Sequence, residues 1–202
     1  MKARPRLPPN QVETKKFPVL DLGTRPPIDL AAWRFKVWGA VEKPLELSWA
    51  QFKALPRHAL TADFHCVTRW SRYDLGWEGV AVSEALALAK PKEDARFLIQ
   101  HCGEGYTTNT PLADALRPEC LLADTLEGTP LPLEHGGPLR MLIPHLYAWK
   151  SGKFLVGLEV SVTDKPGYWE VRGYHNRADP WLEERYGDVN APPPGANDPV
   201  PD

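Results

Sequence analysis

The chain has 202 residues, of which 43% are hydrophobic and 25% charged, and its formal net charge is −2. These values are typical of a single globular domain. They argue against a nucleic-acid-binding protein or one held on a membrane by basic residues, because no excess of positive charge attracts phosphates. No apolar run approaches the roughly 18 residues of a membrane-spanning helix, and the basic N-terminal segment lacks the apolar core of a secretion signal. We therefore expect a cytoplasmic protein without nucleic-acid or membrane partners.

The proline and cysteine contents limit the fold further. The 22 prolines are about twice the average share, and proline neither donates to a sheet nor continues a helix. We therefore expect many turns and long ordered loops. Cys66, Cys102 and Cys120 are an odd number of cysteines without a closely spaced pair, which argues against a disulfide framework and against a zinc site.

Proline-rich segments flank the predicted core. Residues 1–29 are expected to form an extended N-terminal arm, in part disordered, and residues 191–202 have the composition of a disordered tail. Between them, we expect a domain over residues 30–165 and a C-terminal strap over residues 166–190.

Short strands and helices alternate along the core. The hydrophobic pattern predicts strands over residues 33–39, 95–101, 139–144 and 154–162. It predicts short helices after the N-caps Ser48 and Ser83, and over residues 111–116 and 181–186. Because loops rather than long helices separate the strands, we expect an α+β fold with mixed, largely antiparallel sheets.

The first segment that can carry chemistry is FHCVTRWS, residues 64–71. His65 precedes Cys66, and Arg69 follows three residues later, so the thiol has electropositive neighbours that favour the thiolate. Residues 71–74 are polar and are predicted to be a loop. A buried core cysteine is the alternative interpretation, since free cysteines are often buried.

The second and third segments combine glycine, basic and aromatic residues. HGGPLR at 135–140 and YAWKSGK at 147–153 offer a flexible backbone, an arginine fork and lysine charges that suit a phosphorylated ligand. The alternative is a hairpin turn with solvated cations. Residues 167–181 mix aromatic side chains with Arg172, His175 and Arg177, which is typical both of a functional loop and of a segment covering the core.

Together, the first two segments resemble the sulfite oxidase family of molybdopterin-dependent oxidoreductases. This family includes sulfite oxidases, plant-type nitrate reductases and bacterial protein-methionine-sulfoxide reductase catalytic subunits. FHCVTRWS is similar to the cysteine loop of the family, and HGGPLRMLIPHLYAWKSGKFLVGLEV is similar to its pterin-phosphate segment. The resemblance covers roughly residues 30–165 and implies the α+β fold of the sulfite oxidase molybdopterin domain.

The resemblance implies a cofactor made of molybdenum and one molybdopterin, a pyranopterin dithiolene. Cys66 would be the protein ligand of the metal, and residues 17–19 correspond to an N-terminal cofactor-binding stretch. The implied cofactor-binding residues are His65, Cys66, His101, His135, Arg140, Ala148, Trp149, Lys150 and Lys153. A soft thiolate ligand agrees with the general coordination chemistry of such metals.

The activity implied by the resemblance is two-electron oxygen-atom transfer on a small substrate, either a sulfite-like oxyanion or an S- or N-oxide. An external partner would exchange electrons with the enzyme. The candidate catalytic residues are Cys66, Arg69, Arg72, Tyr73 and Arg177, whose arginines would bind an oxyanion. Sulfite oxidases carry an Asn-Arg-Arg type sequence after the cysteine, whereas this chain has Thr68-Arg69-Trp70, which leaves the substrate open.

Two other functions fit parts of the sequence. A non-catalytic cofactor-binding module would keep the phosphate contacts without needing Cys66. A metal-free thiol redox enzyme would use His65 and Cys66, but it leaves the glycine-rich segment with its cations unexplained. A cysteine at the position expected for the metal ligand favours the molybdenum enzyme.

Overall fold

The computed structural model describes residues 5–187, so the predicted tail lies outside the described residues. Two β-sheets and short helices form an α+β fold, as predicted. The strands are β1 Val12–Glu13, β2 Arg34–Gly39, β3 Leu45–Ser48, β4 His58–His65, β5 Trp70–Ala81, β6 Phe97–Cys102, β7 Thr107–Pro111, β8 Leu121–Leu126, β9 Thr129–Pro130, β10 Arg140–Leu142 and β11 Leu155–Ser161. The α-helices are α1 Trp49–Lys53, α2 Val82–Ala89 and α3 Leu112–Ala115. Within the described range, none of the helices has the length and apolar character needed to cross a membrane.

The sheets are largely antiparallel. The first has the strand order β1-β5-β8-β10, with β4 also on β5 and β9 on β8, and the second has the order β3-β2-β11-β6-β7. The parallel pairs are β1 with β5 and β2 with β11. The main core contains Phe35 and Leu158 of the second sheet, Leu122 and Met141 of the first, and Leu86 of α2. The two sheets and α2 therefore share one hydrophobic core.

Four predicted strands correspond to β2, β6, β10 and β11, with ends displaced by at most two residues. The loop predicted for residues 71–74 is wrong, because these residues lie within β5. There Ser71 and Arg72 pair with β4, and Ser71 also pairs with β1, whereas Tyr73 and Asp74 lie at an irregularity in the pairing with β4. Backbone pairing on both sides stabilises a strand whose polar side chains alone do not indicate one.

The N-termini of the helices agree only in part with the caps predicted from the local sequence. Ser48 caps α1 as predicted: its Oγ accepts from the N–H of Gln51 at 3.3 Å, and its own N–H donates to the Gln51 side chain at 2.9 Å. Ser83 does not cap α2, because the helix follows directly from β5 and its N-cap is Ala81. The predicted helix at 181–186 is a 3-10 turn at Pro180–Leu182 instead.

The described part of the N-terminal arm, residues 5–29, contributes β1 to the first sheet. Further 3-10 turns lie at Leu133–His135, Ala148–Lys150 and Glu170–Arg172. The boundaries of the arm, the domain and the C-terminal strap remain predictions.

We expect Ser48→Ala to lower the free energy of unfolding by about 1 kcal/mol, because it removes a side-chain cap. Ser83→Ala is the matched control and should change it by less than about 0.5 kcal/mol. Urea unfolding of both variants measures the difference, and equal effects would contradict the assignment of the caps.

Candidate active site

Cys66 lies in a tight loop, residues 66–69, between β4 and β5. We call this segment the Cys66 loop. Its backbone is fixed at both ends: the N–H of Cys66 donates to the carbonyl of Trp70 at 2.9 Å, and the N–H of Arg69 donates to the carbonyl of Cys66 at 3.1 Å. Gln11 of the N-terminal arm also donates to the Cys66 carbonyl at 2.9 Å. These bonds hold the backbone of Cys66, and its side chain lines a cavity.

The environment of the Cys66 sulfur differs from the sequence prediction. The residue is 6% exposed, and the hydroxyl of Thr68 donates to its Sγ at 3.2 Å. Burial raises the pKa of the Cys66 thiol, although the sequence predicted a lowered one. The neighbouring His65 supplies no charge, because burial lowers the pKa of its ring to about 4. A bound cation such as a metal ion would favour the thiolate form of Cys66.

The glycine-rich turn brings basic residues to the same cavity. A Cβ on Gly137 would lie 2.2 Å from the carbonyl oxygen of Leu131, so no larger residue fits there. Gly136 has a φ of +107°, and a Cβ on it would lie 2.9 Å from the side chain of Lys153. Glycine is therefore required at both positions for the turn to pack closely.

Arg140 is the buried cation of the site. It is 2% exposed, and it donates to the carbonyls of His135 at 2.8 Å, Ser151 at 2.9 Å and Met141 at 3.3 Å. Burial lowers its pKa to about 10. Within residues 5–187, no carboxylate forms an ion pair with it, and two of its five N–H groups remain for a ligand. Because a buried charge is costly without a counter-ion, Arg140 indicates an anionic ligand.

Lys153 and His135 extend the basic lining. Lys153 donates to the carbonyl of Glu134 at 2.7 Å, and burial together with the nearby Arg140 lowers its pKa to about 8. Burial and the same cations lower the pKa of His135, whose ring stacks on Phe17 with centroids 4.4 Å apart. The lining therefore combines these basic groups with flat apolar surfaces, and it also includes the carboxylates of Asp21 and Glu104. The basic groups and the flat surfaces suit a phosphorylated aromatic ligand.

The cavity has a volume of about 330 Å³, within the range of small-molecule sites. It brings together six of the predicted site residues, namely Cys66, His135, Arg140, Ala148, Trp149 and Lys153. Of residues 17–19, Phe17 and Pro18 line it. Ser151 and Gly152 also line the cavity. They were not among the predicted site residues, although they lie between two predicted ones, Lys150 and Lys153.

Three predicted cofactor-binding residues do not line the cavity. Lys150 is fully buried in an ion pair with Glu170, with Nζ 2.6 Å from Oε1. His101 pairs with Glu159 at 3.2 Å, and it is the next residue, Cys102, that lines the cavity. His65 turns its Nδ1 toward the hydroxyl of Ser71 at 2.8 Å.

The predicted arginines of the substrate mouth and Tyr73 also lie outside the cavity lining. Arg69 is exposed, Arg72 donates to the carbonyl of Tyr73, and the ring of Tyr73 lies under the guanidinium of Arg6 at 4.2 Å. Arg177 pairs with Asp114, with Nε 3.3 Å from Oδ2. Their predicted catalytic roles therefore have no support from the lining of this cavity.

An aromatic group lines the cavity near the Cys66 loop instead. It consists of Trp149, Trp169 and Tyr174. The ring centroid of Tyr174 lies 5.0 Å from that of Trp149 and 4.8 Å from that of Trp169. Val67 of the Cys66 loop packs against this group. Trp169 and Tyr174 come from the C-terminal strap, in the third segment singled out from the sequence.

The sequence profile of the family described as "Oxidoreductase molybdopterin binding domain" matches residues 22–169. The chain therefore belongs to this family. It is a molybdopterin-dependent oxidoreductase whose cofactor is molybdenum bound by molybdopterin, as predicted, rather than a metal-free thiol enzyme. The cavity fits this cofactor, because its lining holds a thiol able to bind a metal, that of Cys66, with a second thiol at Cys102, and the buried cation Arg140.

Particular relatives agree with this assignment. The chain is 47% identical over 182 residues to the uncharacterized oxidoreductase YuiH of Bacillus subtilis, covering 90% of this chain and 92% of that protein. It is 30% identical over 148 residues to the putative protein-methionine-sulfoxide reductase subunit YedZ1 of Azospira oryzae, covering 73% and 56%. It is 33% identical over 145 residues to the protein-methionine-sulfoxide reductase catalytic subunit MsrP of Xanthomonas axonopodis, covering 64% and 45%. The chain thus spans about half the length of the last two.

Among solved structures, the fold is similar to that of the sulfane dehydrogenase SoxCD from Paracoccus pantotrophus. The TM-score is 0.67 at 20% sequence identity, and the match covers 84% of this chain and 50% of that chain. At this identity, the similarity shows the shared fold alone.

We expect the cofactor-free protein to bind inorganic phosphate with an affinity that falls as the pH rises through about 8, the pKa of Lys153. The reason is that Lys153 loses its proton there, whereas Arg140 keeps its charge up to about 10. Isothermal titration calorimetry across this range measures the effect.

Lys153→Met should weaken phosphate binding and remove its fall near pH 8. Lys165→Met, which changes an exposed lysine paired with Glu159, is the control and should behave like the unaltered protein. If the fall with pH persists in Lys153→Met, Lys153 does not belong to the anion site.

Proposed function

We propose that this protein reduces small neutral S-oxides by two-electron oxygen-atom transfer at a molybdenum held by Cys66. The observation that carries the proposal is that one cavity combines the Cys66 thiol, the buried cation Arg140 and the aromatic group. These three features correspond to a metal ligand, an anchor for the cofactor and a surface for the substrate.

The cofactor would be held by groups from both sides of the cavity. The thiolate of Cys66 would bind the metal, and Arg140 with Lys153 would bind the cofactor phosphate. His135 and Phe17 would flank the pterin, since their stacked rings belong to the lining. When bound, the cofactor supplies the redox and oxygen-transfer chemistry, and the protein supplies its position and surroundings.

The surroundings of Cys66 favour a neutral substrate over a sulfite-like oxyanion. Val67 and the aromatic group form an apolar surface, whereas Arg69, Arg72 and Arg177 do not line the cavity. A thioether or sulfoxide sulfur makes favourable contacts with aromatic rings, and an oxyanion would lose its hydration there without a charged donor. The names of two relatives specify protein-methionine-sulfoxide reductase, which agrees with a sulfoxide substrate.

The proposal includes an external electron donor and a reducing compartment. An external redox partner supplies the electrons and approaches over the N-terminal arm, where Leu20 and Leu22 line the cavity and are each 42% exposed. Such exposed aliphatic residues suit a protein contact. The three free cysteines agree with a reducing compartment such as the cytoplasm.

Cys66→Ser should abolish turnover and remove the thiolate-to-metal charge-transfer absorption of the molybdenum-loaded protein. The reason is that a serine hydroxyl is a poor replacement for a soft thiolate. Metal analysis and an absorption spectrum measure this directly. Cys120→Ala, in the hydrophobic core away from the cavity, is the control and should keep the band. A band that survives in Cys66→Ser would show that Cys66 is not the ligand.

Molybdenum-loaded protein with an artificial electron donor should reduce dimethyl sulfoxide or methionine sulfoxide, and it should oxidise sulfite poorly. Trp169→Leu should raise KM for the sulfoxide about tenfold, which is roughly 1.4 kcal/mol of binding, while Trp169→Phe should retain most of the affinity. Steady-state kinetics with the sulfoxide and with sulfite measure this preference. Preferred turnover of sulfite would overturn the substrate assignment.

A further inference from the structure

Arg185, near the end of the C-terminal strap, reaches back to the Cys66 loop. Its side chain is 8% exposed. Its Nη1 donates to the carbonyl of Val67 at 2.5 Å, and its Nη2 donates to the carbonyl of Pro9 at 3.4 Å. The guanidinium carbon lies 4.9 Å from the centre of the Tyr147 ring. Arg185 lies outside the motifs that carry the family resemblance.

The contacts of Arg185 join three distant parts of the chain at the metal ligand. Val67 follows Cys66 directly, and Pro9 lies in the N-terminal arm, whose Gln11 donates to the Cys66 carbonyl. The strap is tied to Arg185 in turn, because the N–H of His175 donates to the Arg185 carbonyl at 3.0 Å. Arg185 therefore fixes the strap and the arm on the backbone of the Cys66 loop.

The charge of Arg185 is weakly compensated. The carboxylate that pairs with it within residues 5–187 is that of Glu183, at 3.8 Å and on a side chain that is 40% exposed. An exposed partner at this distance is partly screened by solvent, so it neutralises the charge of Arg185 only in part. The positive charge therefore acts mainly on the Cys66 loop, since Arg185 is bonded to the carbonyl of the residue that follows Cys66.

We infer that Arg185 is a positioning residue that holds the Cys66 loop and sets the reduction potential of the metal through its charge. This inference rests on the proposed role of Cys66 as ligand. Electron uptake adds negative charge to the metal and its thiolate, and a nearby buried cation stabilises that reduced form. Charges and hydrogen bonds around a ligand tune redox potentials in other metal sites in the same way.

The test is a redox titration of the molybdenum-loaded full chain, followed by electron paramagnetic resonance. Arg185→Gln keeps an N–H donor for the Val67 carbonyl but removes the charge. It should shift the midpoint potential to more negative values, by about a tenfold change in the one-electron equilibrium or about 59 mV. Arg185→Lys keeps the charge and should leave the potential close to that of the unaltered enzyme.

Arg96→Gln is the matched control, because Arg96 also donates to backbone carbonyls, those of Glu93 and Ala95, but on the exposed surface. It should not move the potential. Equal shifts in Arg185→Gln and Arg185→Lys, or no shift in either, would overturn the inference.

A second variant keeps the test decisive if Arg185→Gln fails to fold or to load molybdenum. Glu183→Gln removes the weak counter-charge from an exposed position, and it should shift the potential to more positive values. An unchanged or more negative potential would contradict the role of Arg185.

The outcome also separates this inference from the proposed function. If the molybdenum signal is the same in Cys66→Ser as in the unaltered enzyme, the ligand role of Cys66 fails. If the signal depends on Cys66 but does not respond to changes at Arg185 and Glu183, the ligand role stands and only this inference fails.

Discussion

The burial of Arg140 without a carboxylate partner is the constraint around which the cofactor side of the cavity is built. Its guanidinium is held by the carbonyls of His135 and Ser151, which lie in turns on either side of β10. The two turns are therefore tied together by one side chain. Since a buried cation is costly without a counter-charge, this arrangement is stable when an anion occupies the site. In the proposed function, the cofactor phosphate would supply this counter-charge.

The position of the reactive sulfur depends on segments far apart in the chain. The hairpin of β4 and β5 places Cys66, and the N-terminal arm binds its backbone through Gln11. The C-terminal strap holds the following residue, Val67, through Arg185. A metal ligand needs a fixed direction to bind well. If Cys66 is the ligand, as proposed, three converging segments would provide this direction through its backbone.

The lining of the cavity joins two kinds of surface with different tasks. Arg140 and Lys153 supply charge for a phosphorylated ligand, whereas Trp149, Trp169 and Tyr174 supply an apolar contact beside the Cys66 loop. In the proposed function, the cations serve the cofactor, and the apolar surface that would take the substrate carries no charged donor. A neutral substrate would then lose little hydration on entry, which is the physical reason for proposing a sulfoxide rather than an oxyanion.

The sequence by itself determined the family, the fold class, the cap at Ser48 and the residues Cys66, Arg140 and Lys153 of the shared cavity, because these depend on local patterns and motifs. It did not distinguish Lys150 from Lys153, two lysines in one short segment. Only the tertiary structure decided between them: Glu170 of the strap pairs with Lys150 and takes it out of the cavity. In the same way, Arg177 pairs with Asp114 and lies outside the cavity lining. The partners of a charged side chain lie far away in the sequence, and the fold alone brings them together.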